Sequence, residues 1–338
     1  MKILAIVLAG GCGTRLHPLT AEQAKPALPF TAKYRIIDFV LSNLANSGIS
    51  PIYVIAQYKP KSLIEHIRAV WFAGANDAKP AISVVLPDTE RGAPQYKGTA
   101  DAVYQNLHLI ERHRPDLVAV FAADHIYRMD VRQMVRGHIE HNAEITIAAV
   151  PVPLAHASAF GVMAADPDGQ LRAFEEKPVR PAPIPDNPFC AYASMGNYLF
   201  NAQTLVELLH ENHRNGGTDF GHHILPRLQG RRRAWVYNFL GNKLPGVQPY
   251  EERGYWRDVG TLEAYDAAKR DVAGSLPRFC LENPEWPICA QTRHKRKPVA
   301  TAEPKQLHQR LLAGPPPNLS VRPMVTAFAG DKHRQTRV

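Results

Sequence analysis

Three glycines and an arginine follow the first apolar segment of the chain, and they are suited to holding phosphate groups. The segment 3–9 shows no polar alternation, which is typical of a strand buried on both faces. Glycines after such a strand let the backbone turn sharply, so that its N–H groups can hold phosphate oxygens. A guanidinium beside them adds a forked cation. The sequence therefore predicts that the loop from Gly10 to Arg15 grips the phosphates of a nucleotide.

This loop is not one of the two most familiar phosphate loops. It lacks the third glycine of a dinucleotide-binding fingerprint, and no Gly-Lys-Ser/Thr follows at Walker spacing. For a glycine pair alone, an ordinary strand-to-helix turn is the plain alternative. Arg15, and Lys25 with Pro26 shortly after it, favour phosphate binding instead.

Two aspartates have positions suited to a metal ion. Asp124 directly follows the apolar segment 117–122, at the carboxyl end of a strand, where open α/β sheets bind ligands. Asp258 lies in an aromatic turn that ends at Gly260. One carboxylate from each of two distant segments is a usual way to hold Mg²⁺ against substrate phosphates. The plain alternative is that each aspartate caps a helix or joins an ion pair.

Two further segments carry candidate binding groups. Lys177 ends a predicted strand before Pro178, where a lysine can bind a phosphate as a point charge or form a surface ion pair. Gly98 opens a helix, with Thr99 expected as its N-cap. The first N–H groups of that helix could face a ligand, although a capped helix without a ligand is the commoner case.

Other kinds of site find little support in the sequence. The chain has 15 histidines, but the pairs His138/His141 and His222/His223 have no third ligand at a spacing typical of zinc. No Gly-x-Ser-x-Gly elbow is present, and no Cys/His pairing can be argued from spacing. The four cysteines show no C-x-x-C spacing, which fits a reducing cytoplasm rather than a disulfide framework.

Strand and helix patterns alternate along the first half of the chain, which predicts a doubly wound, mostly parallel α/β sheet. After residue 150 the pattern becomes richer in strands. We expect a catalytic domain over 1–275 and a connecting segment over 276–291. The predicted helices are 33–47, 60–72, 130–141, 202–210, 219–228 and 261–272, and the predicted strands include 52–55, 82–86, 117–122, 144–150, 160–164, 171–175, 195–200 and 234–239.

The formal net charge of +9 belongs almost entirely to the end of the chain. Residues 292–338 contain ten Lys/Arg and two Asp/Glu, whereas the rest of the chain is nearly neutral. The segment is rich in proline and without periodicity, so we expect an irregular tail. A nucleic-acid-binding arm is the sharper alternative, but no aromatic residues interleave with the charges. No segment approaches the roughly 18 uninterrupted apolar residues of a membrane span.

Several motifs together resemble one family, the glucose-1-phosphate adenylyltransferases of bacterial glycogen synthesis. The resemblance covers residues 1 to about 288, and its Gly-Gly-x-Gly-x-Arg-Leu motif is shared by sugar nucleotidyltransferases in general. The more specific matches are Tyr34-Arg35-Ile36-Ile37-Asp38-Phe39, Ser158-Ala159-Phe160-Gly161-Val162-Met163 and Tyr255-Trp256-Arg257-Asp258-Val259-Gly260-Thr261.

The resemblance implies a Rossmann-like nucleotidyltransferase domain that makes ADP-glucose and pyrophosphate from ATP and glucose 1-phosphate, with Mg²⁺ as cofactor. It implies that Arg15, Lys25, Asp124, Lys177 and Asp258 are catalytic, with Asp124 and Asp258 holding the metal. It assigns nucleotide binding to Leu8, Ala9, Gly10, Gly11, Gly13, Thr14, Arg15, Gly98, Thr99 and Asp101, and substrate binding to Tyr96, Gly161, Glu176, Lys177 and Ser194.

The chain departs from this family in its last part. Family members continue into a parallel β-helix that helps to assemble tetramers, whereas the match here stops near Ile288 and no hexapeptide repeat follows. A homo-oligomer is therefore in doubt, and a non-catalytic subunit or remnant remains the rival hypothesis to an enzyme. A tail of this kind is what a frameshift would leave, and a β-helix sequence in another reading frame of the gene would support that origin.

Regulation is expected to differ as well. Enteric members of the family bind an anionic sugar-phosphate activator through basic residues where this chain has Glu22 and Gln23. Because a carboxylate at Glu22 would repel such an anion, we predict little or no activation by fructose 1,6-bisphosphate. Initial rates with and without this compound check the prediction, and a clear rise in rate would contradict it.

Overall fold

The structure, a computed structural model, describes residues 1–72, 80–88 and 95–289. The predicted tail at 292–338 lies outside the described residues. Among the residues that are described, no helix is long and apolar enough to cross a membrane.

Strands and helices alternate through the described chain. The eight α-helices of its described part are α1 Ile37–Asn46, α2 Pro60–Trp71, α3 Thr99–Tyr104, α4 Leu107–His113, α5 Val131–Glu140, α6 Leu154–Ala157, α7 Ala202–Arg214 and α8 Leu262–Asp271. The strands are β1 Ile3–Ala9, β2 Ile52–Ala56, β3 Ile82–Val85, β4 Leu117–Ala122, β5 His125–Tyr127, β6 Ile145–Pro153, β7 Gly161–Ala165, β8 Leu171–Glu176, β9 Cys190–Asn201, β10 Ala234–Asn238 and β11 Trp256–Asp258.

Nine of these eleven described strands form one large sheet, with the central order β10-β6-β9-β4-β1-β2-β3. The pairs β1–β2, β1–β4, β2–β3 and β6–β10 are parallel. The long strand β9 runs antiparallel between β4 and β6, and β7 with β8 extends from it. The predicted doubly wound and mostly parallel α/β class is confirmed, with β9 as an antiparallel insertion.

The first strand is buried on both faces, as its unbroken apolar sequence predicts. Leu4 and Ile6 pack into the apolar cluster on one side of the sheet, whereas Ala5 and Val7 pack into the cluster on the other. All four side chains are fully buried. Helices cover both faces, so the loop after β1 leaves the sheet from a strand that is enclosed on both sides.

Two helix predictions differ from the structure. The helix predicted over 33–47 begins only at Ile37, because Phe30 N–H bonds to the Tyr34 carbonyl and closes a turn before it. The helix predicted over 219–228 is a π-helical turn, Phe220–Ile224, followed by the 3-10 turn Leu225–Arg227. Pro226, at the start of that second turn, has no N–H to continue a helical ladder.

A second, two-stranded sheet was not predicted. Strand β5 pairs antiparallel with β11, with Asp258 opposite His125 and Arg257 opposite Ile126. Each strand has three residues, too few to show a periodic pattern in the sequence. This pairing brings the segment after β4 next to a segment near the end of the domain.

A buried carboxylate fixes the start of α1. Asp38 is fully buried and accepts three hydrogen bonds, from Arg35 N–H at 2.8 Å, Trp71 Nε1 at 3.1 Å and His66 Nε2 at 2.7 Å. His66 and Trp71 belong to α2, so this carboxylate links the two helices.

The substitution Asp38→Asn should lower the free energy of unfolding by about 3 kcal/mol. The reason is that the amide NH₂ group of the new asparagine would face hydrogen-bond donors of Arg35, His66 or Trp71 in a buried site. The control is Asp266→Asn on the exposed face of α8, which should change stability by less than about 0.5 kcal/mol. Urea unfolding of the three proteins measures both values, and equal midpoints would refute this account of Asp38.

Candidate active site

The glycine loop after β1 is open where a ligand can approach. A side chain at Gly10 or Gly11 would meet no atom within 4 Å, so the protein does not fill this space itself. Gly13 is different, because its φ of +63° favours glycine and a Cβ there would lie 3.0 Å from Thr20 Cγ2. Thr20 Oγ1 also donates to the Gly13 carbonyl at 2.9 Å. The loop is thus held at Gly13, whereas the space beside Gly10 and Gly11 is open.

Three charged side chains from distant parts of the chain meet beside this loop. Lys25 lies in the 3-10 turn Lys25–Ala27, Asp124 lies between β4 and β5, and Asp258 ends β11. Lys25 Nζ is 2.7 Å from Asp124 Oδ2 and 3.5 Å from Asp258 Oδ1. The sequence predicted each of these residues separately, and the pairing of β5 with β11 brings the two aspartates together.

Arg15 lies at the same point. Its Nη2 atom and the Asp258 Oδ2 atom each lie 3.1 Å from where a side chain on Gly260 would begin. Gly260 therefore leaves room for the guanidinium beside the carboxylate. Arg15, Lys25 and Gly260 all line one cavity of about 200 Å³.

His125 completes a possible metal-binding group that the sequence did not indicate. Its Nε2 atom is 3.5 Å from Asp124 Oδ1 and 4.0 Å from Asp258 Oδ1, and one ligand atom from each of the three residues lies within 4.8 Å of the others. Two carboxylates at this separation suit a divalent cation. Burial alone would raise the pKa of Asp124, but the Lys25 ammonium and His125 outweigh it and lower that pKa to about 2.

A larger cavity of about 460 Å³ adjoins the smaller one, and Leu8, Gly11 and Asp124 line both. The predicted site residues on the larger cavity are Leu8, Gly10, Gly11, Tyr96, Gly98, Thr99, Asp124 and Glu176. Those on the smaller one are Leu8, Ala9, Gly11, Gly13, Thr14, Arg15, Lys25 and Asp124. Five predicted residues line neither of these two cavities, namely Asp101, Gly161, Lys177, Ser194 and Asp258.

The turn that opens α3 differs from its prediction. Gly98, not Thr99, is the N-cap residue, and a Cβ on Gly98 would lie 2.5 Å from the Thr218 carbonyl oxygen. That oxygen accepts the N–H groups of Ala100 and Asp101, so those two donors are not free for a ligand. The prediction of Thr99 as N-cap was wrong because its Oγ1 instead donates to Asp219 Oδ2 at 2.8 Å.

Asp101 is turned toward its own segment. Its Oδ2 atom accepts the Lys97 N–H at 2.8 Å and the Gln105 side chain at 2.9 Å. These bonds fix the backbone that follows Tyr96. The geometry therefore supports a positioning role for Asp101 rather than direct contact with a ligand.

Two predicted residues, Gly161 and Lys177, lie beside Glu176, which ends β8 opposite Gly161. A Cβ on Gly161 would lie 2.9 Å from Glu176 Oε2, so the glycine makes room for this carboxylate. Lys177 has a φ of +50°, and its Nζ is 3.7 Å from Glu176 Oε1. Ser194 Oγ accepts the Gly196 N–H at 3.2 Å.

Sequence reasoning missed Asp219 and Gln57, which also line the larger cavity. Gln57 follows β2, so the carboxyl-end rule that identified Asp124 could have identified it. Asp219 caps the π-helical turn by accepting the His222 N–H at 3.2 Å, and such a residue is easily interpreted as a cap alone.

Fold and site together define a nucleotide-binding enzyme of the α/β class. Residues 4–275 match the model of the family described as nucleotidyl transferase. Two curated relatives named glucose-1-phosphate adenylyltransferase are identical to this chain at 53% and 50% of the aligned positions. The chain therefore belongs to the nucleotidyl transferase family and, within it, to the glucose-1-phosphate adenylyltransferases.

The similarity to these relatives is extensive. The protein of that name from Thermodesulfovibrio yellowstonii is 53% identical over 299 residues, covering 88% of this chain and 72% of the relative. The one from Thermus thermophilus is 50% identical, and the one from Corynebacterium jeikeium is 46% identical. Each of these two alignments covers 85% of this chain and 71% of the relative. The family resemblance expected from the sequence motifs is confirmed.

The hydrogen bonds to Asp219 predict a pH-dependent stability. Burial alone would raise the pKa of Asp219, but the bonds from Thr99 and His222 outweigh it and lower that pKa below its ordinary value. Because the carboxyl has a lower pKa in the folded protein than in the unfolded chain, its ionised form stabilises the fold at pH values above the unfolded-state pKa of about 3.9. This stabilisation is lost as the pH falls through the pKa of the folded protein. Asp219→Asn should therefore lower the urea midpoint at pH 7, whereas the difference from wild type should shrink toward pH 3.

Urea unfolding at pH 7, 5 and 3 checks this expectation. The matched control is Asp168→Asn, an exposed aspartate whose carboxylate bonds only to the nearby Gln170 N–H among the contacts described. A midpoint difference for Asp219→Asn that stays constant over this range would contradict the assignment.

Proposed function

We propose that this chain transfers the adenylyl group of ATP to α-D-glucose 1-phosphate, giving ADP-glucose and pyrophosphate for α-glucan synthesis. The relatives that share about half of its residues carry the name of this activity. The observation that carries the proposal is the contact of Lys25 with both Asp124 and Asp258, beside the two cavities that Asp124 lines.

The smaller cavity is suited to the triphosphate. Arg15 and Lys25 supply cations, and the open backbone at Gly10 and Gly11 can approach phosphate oxygens closely. Thr14 and Ala9 would line the same phosphate path.

The larger cavity is suited to the neutral parts of both substrates. Tyr96 and Gly98 would border the nucleoside. Hydrogen bonds of Thr99 and Asp101 fix the backbone turn that contains Lys97 and Gly98. Glu176 and Asp219 would accept hydrogen bonds from sugar hydroxyls. Lys177 would bind the sugar phosphate as a point charge, and Gly161 and Ser194 are the other predicted residues assigned to this substrate.

The proposed reaction needs no general base from the protein. Glucose 1-phosphate brings its own nucleophile, a phosphate oxygen, and with a second pKa near about 6 this group is mostly dianionic at neutral pH. The barrier lies in bringing two anions together and in stabilising the leaving pyrophosphate. Arg15 and Lys25 would lower it by holding the phosphates in line and neutralising their charge.

Mg²⁺ is the cofactor that the site would take. Asp124 and Asp258 offer the hard oxygen donors that this ion prefers, and one ligand atom from each of Asp124, Asp258 and His125 lies within 4.8 Å of the others. When bound, the ion would neutralise phosphate charge and orient the α-phosphate for attack.

A cytoplasmic location is part of this proposal. Cys12, Cys190 and Cys280 form no disulfide bond within the described residues, as expected in a reducing compartment. Partners beyond the two substrates are not required by the reaction, and size-exclusion chromatography will determine whether the chain forms a homo-oligomer.

The assay that tests the proposal measures pyrophosphate release from glucose 1-phosphate with ATP, UTP or dTTP. Release with ATP is expected. Release with UTP or dTTP alone would assign a different base, and no release with any of the three would support a non-catalytic protein.

The variant Asp258→Ala should lower ATP turnover by about 10³-fold or more, because it removes a carboxylate from the proposed metal group. The control is Asp266→Ala, an exposed aspartate on α8, which should retain wild-type turnover. Turnover by Asp258→Ala within tenfold of wild type would remove Asp258 from the proposed centre.

A further inference from the structure

Lys25 contacts the same two carboxylates that would hold the metal. Its ammonium is 2.7 Å from Asp124 Oδ2 and 3.5 Å from Asp258 Oδ1, and only 9% of its side chain is exposed. The stem of the lysine packs against the glycine loop, since a Cβ on Gly13 would lie 3.2 Å from Lys25 Cβ. The ammonium can therefore reach either the carboxylates or the phosphate path along that loop.

We propose that the Lys25 ammonium competes with the divalent cation for Asp124 and Asp258, so that cation and nucleotide bind as a unit. This inference rests on the proposed function, because it assumes that a triphosphate occupies the smaller cavity. The carboxylate pair then has two alternative counter-ions, the lysine and the dication, and the nucleotide decides between them.

The cost of displacing the lysine explains the coupling. A cation that enters alone must move a nearly buried ammonium off its carboxylate partners, and an unpaired buried charge is costly. A triphosphate offers that ammonium a new partner in the cavity that Lys25 already lines. Each ligand therefore raises the affinity for the other, which is a reciprocal coupling between two sites.

Arg15 cannot take over this role from its position. Its Nη2 atom lies beside Gly260 and Asp258, and it forms no ion pair with Asp124 among those described. Lys25 alone among the described lysines and arginines contacts both carboxylates within 4 Å. His125 Nε2 also lies near both carboxylates, at 3.5 and 4.0 Å, but Lys25 makes the closer contact with each of them. The competition is therefore assigned to Lys25 and is tested by substituting that residue.

The test uses Mn²⁺ as the probe, because the electron paramagnetic resonance signal of free Mn²⁺ measures binding directly. Wild type should bind Mn²⁺ alone at least about tenfold more weakly than with a non-hydrolysable ATP analogue. Lys25→Met should bind Mn²⁺ alone about tenfold more tightly than wild type and should gain little from the analogue. If Lys25→Met binds Mn²⁺ alone no more tightly than wild type does, the proposal fails.

Two further variants make this result specific. Lys61→Met, at an exposed position of α2, should match wild type, whereas Lys25→Arg, which keeps the charge, should keep weak binding of Mn²⁺ alone. Tight binding by Lys25→Arg would contradict the proposal even if Lys25→Met folds poorly.

Chemical labelling separates displacement of the lysine from simple charge repulsion. Acetylation of Lys25, quantified by mass spectrometry in wild type, should rise when Mn²⁺ alone is present in saturating amounts. It should fall when the ATP analogue is added with Mn²⁺. Labelling that Mn²⁺ leaves unchanged would overturn the proposal.

These readouts are independent of turnover. The expected Mn²⁺ and labelling results in a protein that releases no pyrophosphate would refute the proposed function and leave the competition standing. Normal pyrophosphate release by wild type, together with Mn²⁺ binding that the Lys25→Met substitution leaves unchanged, would refute the competition and leave the proposed function standing.

Discussion

The contact of one ammonium with two carboxylates is the constraint on which the rest of the site depends. Lys25 is 99 residues from Asp124 and 233 residues from Asp258 in sequence, yet its Nζ atom is 2.7 Å from the first carboxylate and 3.5 Å from the second. Two carboxylates held so close repel each other unless a cation lies between them. The fold must therefore bring three segments together with an accuracy that only rigid elements provide.

The large sheet supplies most of that accuracy. Strand β4 delivers Asp124 from the centre of the sheet, next to β1, which delivers the glycine loop. The short pairing of β5 with β11 then fixes Asp258 opposite His125. Lys25 is held from the other side by a 3-10 turn that packs near α2. Glycines stand where atoms come closest, as Gly260 does beside Arg15 and Asp258.

The parts of this arrangement that follow from local sequence were predictable. Strand β4 matches the predicted segment 117–122 at both ends. A short, unbroken apolar segment between turns is typical of a buried strand. Asp124 and the glycine loop were found by the same local logic. In contrast, the contact of Asp258 with Lys25 depends on two three-residue strands, and no periodicity can be recognised over three residues.

The errors have a related cause, which is that tertiary partners override local preferences. Thr99 is a good N-cap residue by type, but Asp219 lies within its reach and takes its hydroxyl. Likewise, the first N–H groups of α3 look free in the sequence, whereas the Thr218 carbonyl accepts two of them. Asp219, which was not predicted, accepts the hydrogen bond from the Thr99 hydroxyl, and it directly follows Thr218, whose carbonyl accepts the two N–H groups of α3. One loop that returns from far along the chain therefore explains both differences.

The charges around the two cavities also determine how a substrate can lie in them. Three carboxylates, Asp124, Glu176 and Asp219, line the larger cavity, whereas Arg15 and Lys25 line the smaller one. A phosphate chain in the larger cavity would face these three carboxylates with Lys97 as the one lysine or arginine in the described lining. The smaller cavity is more favourable for phosphates, because Arg15 and Lys25 line it with Asp124 as the one carboxylate. Hydroxyl groups, in contrast, can donate to those carboxylates. A molecule with a neutral hydroxyl-bearing end and an anionic end is therefore bound in one direction, with its phosphates beside Arg15 and Lys25 and the junction of the two parts at Asp124.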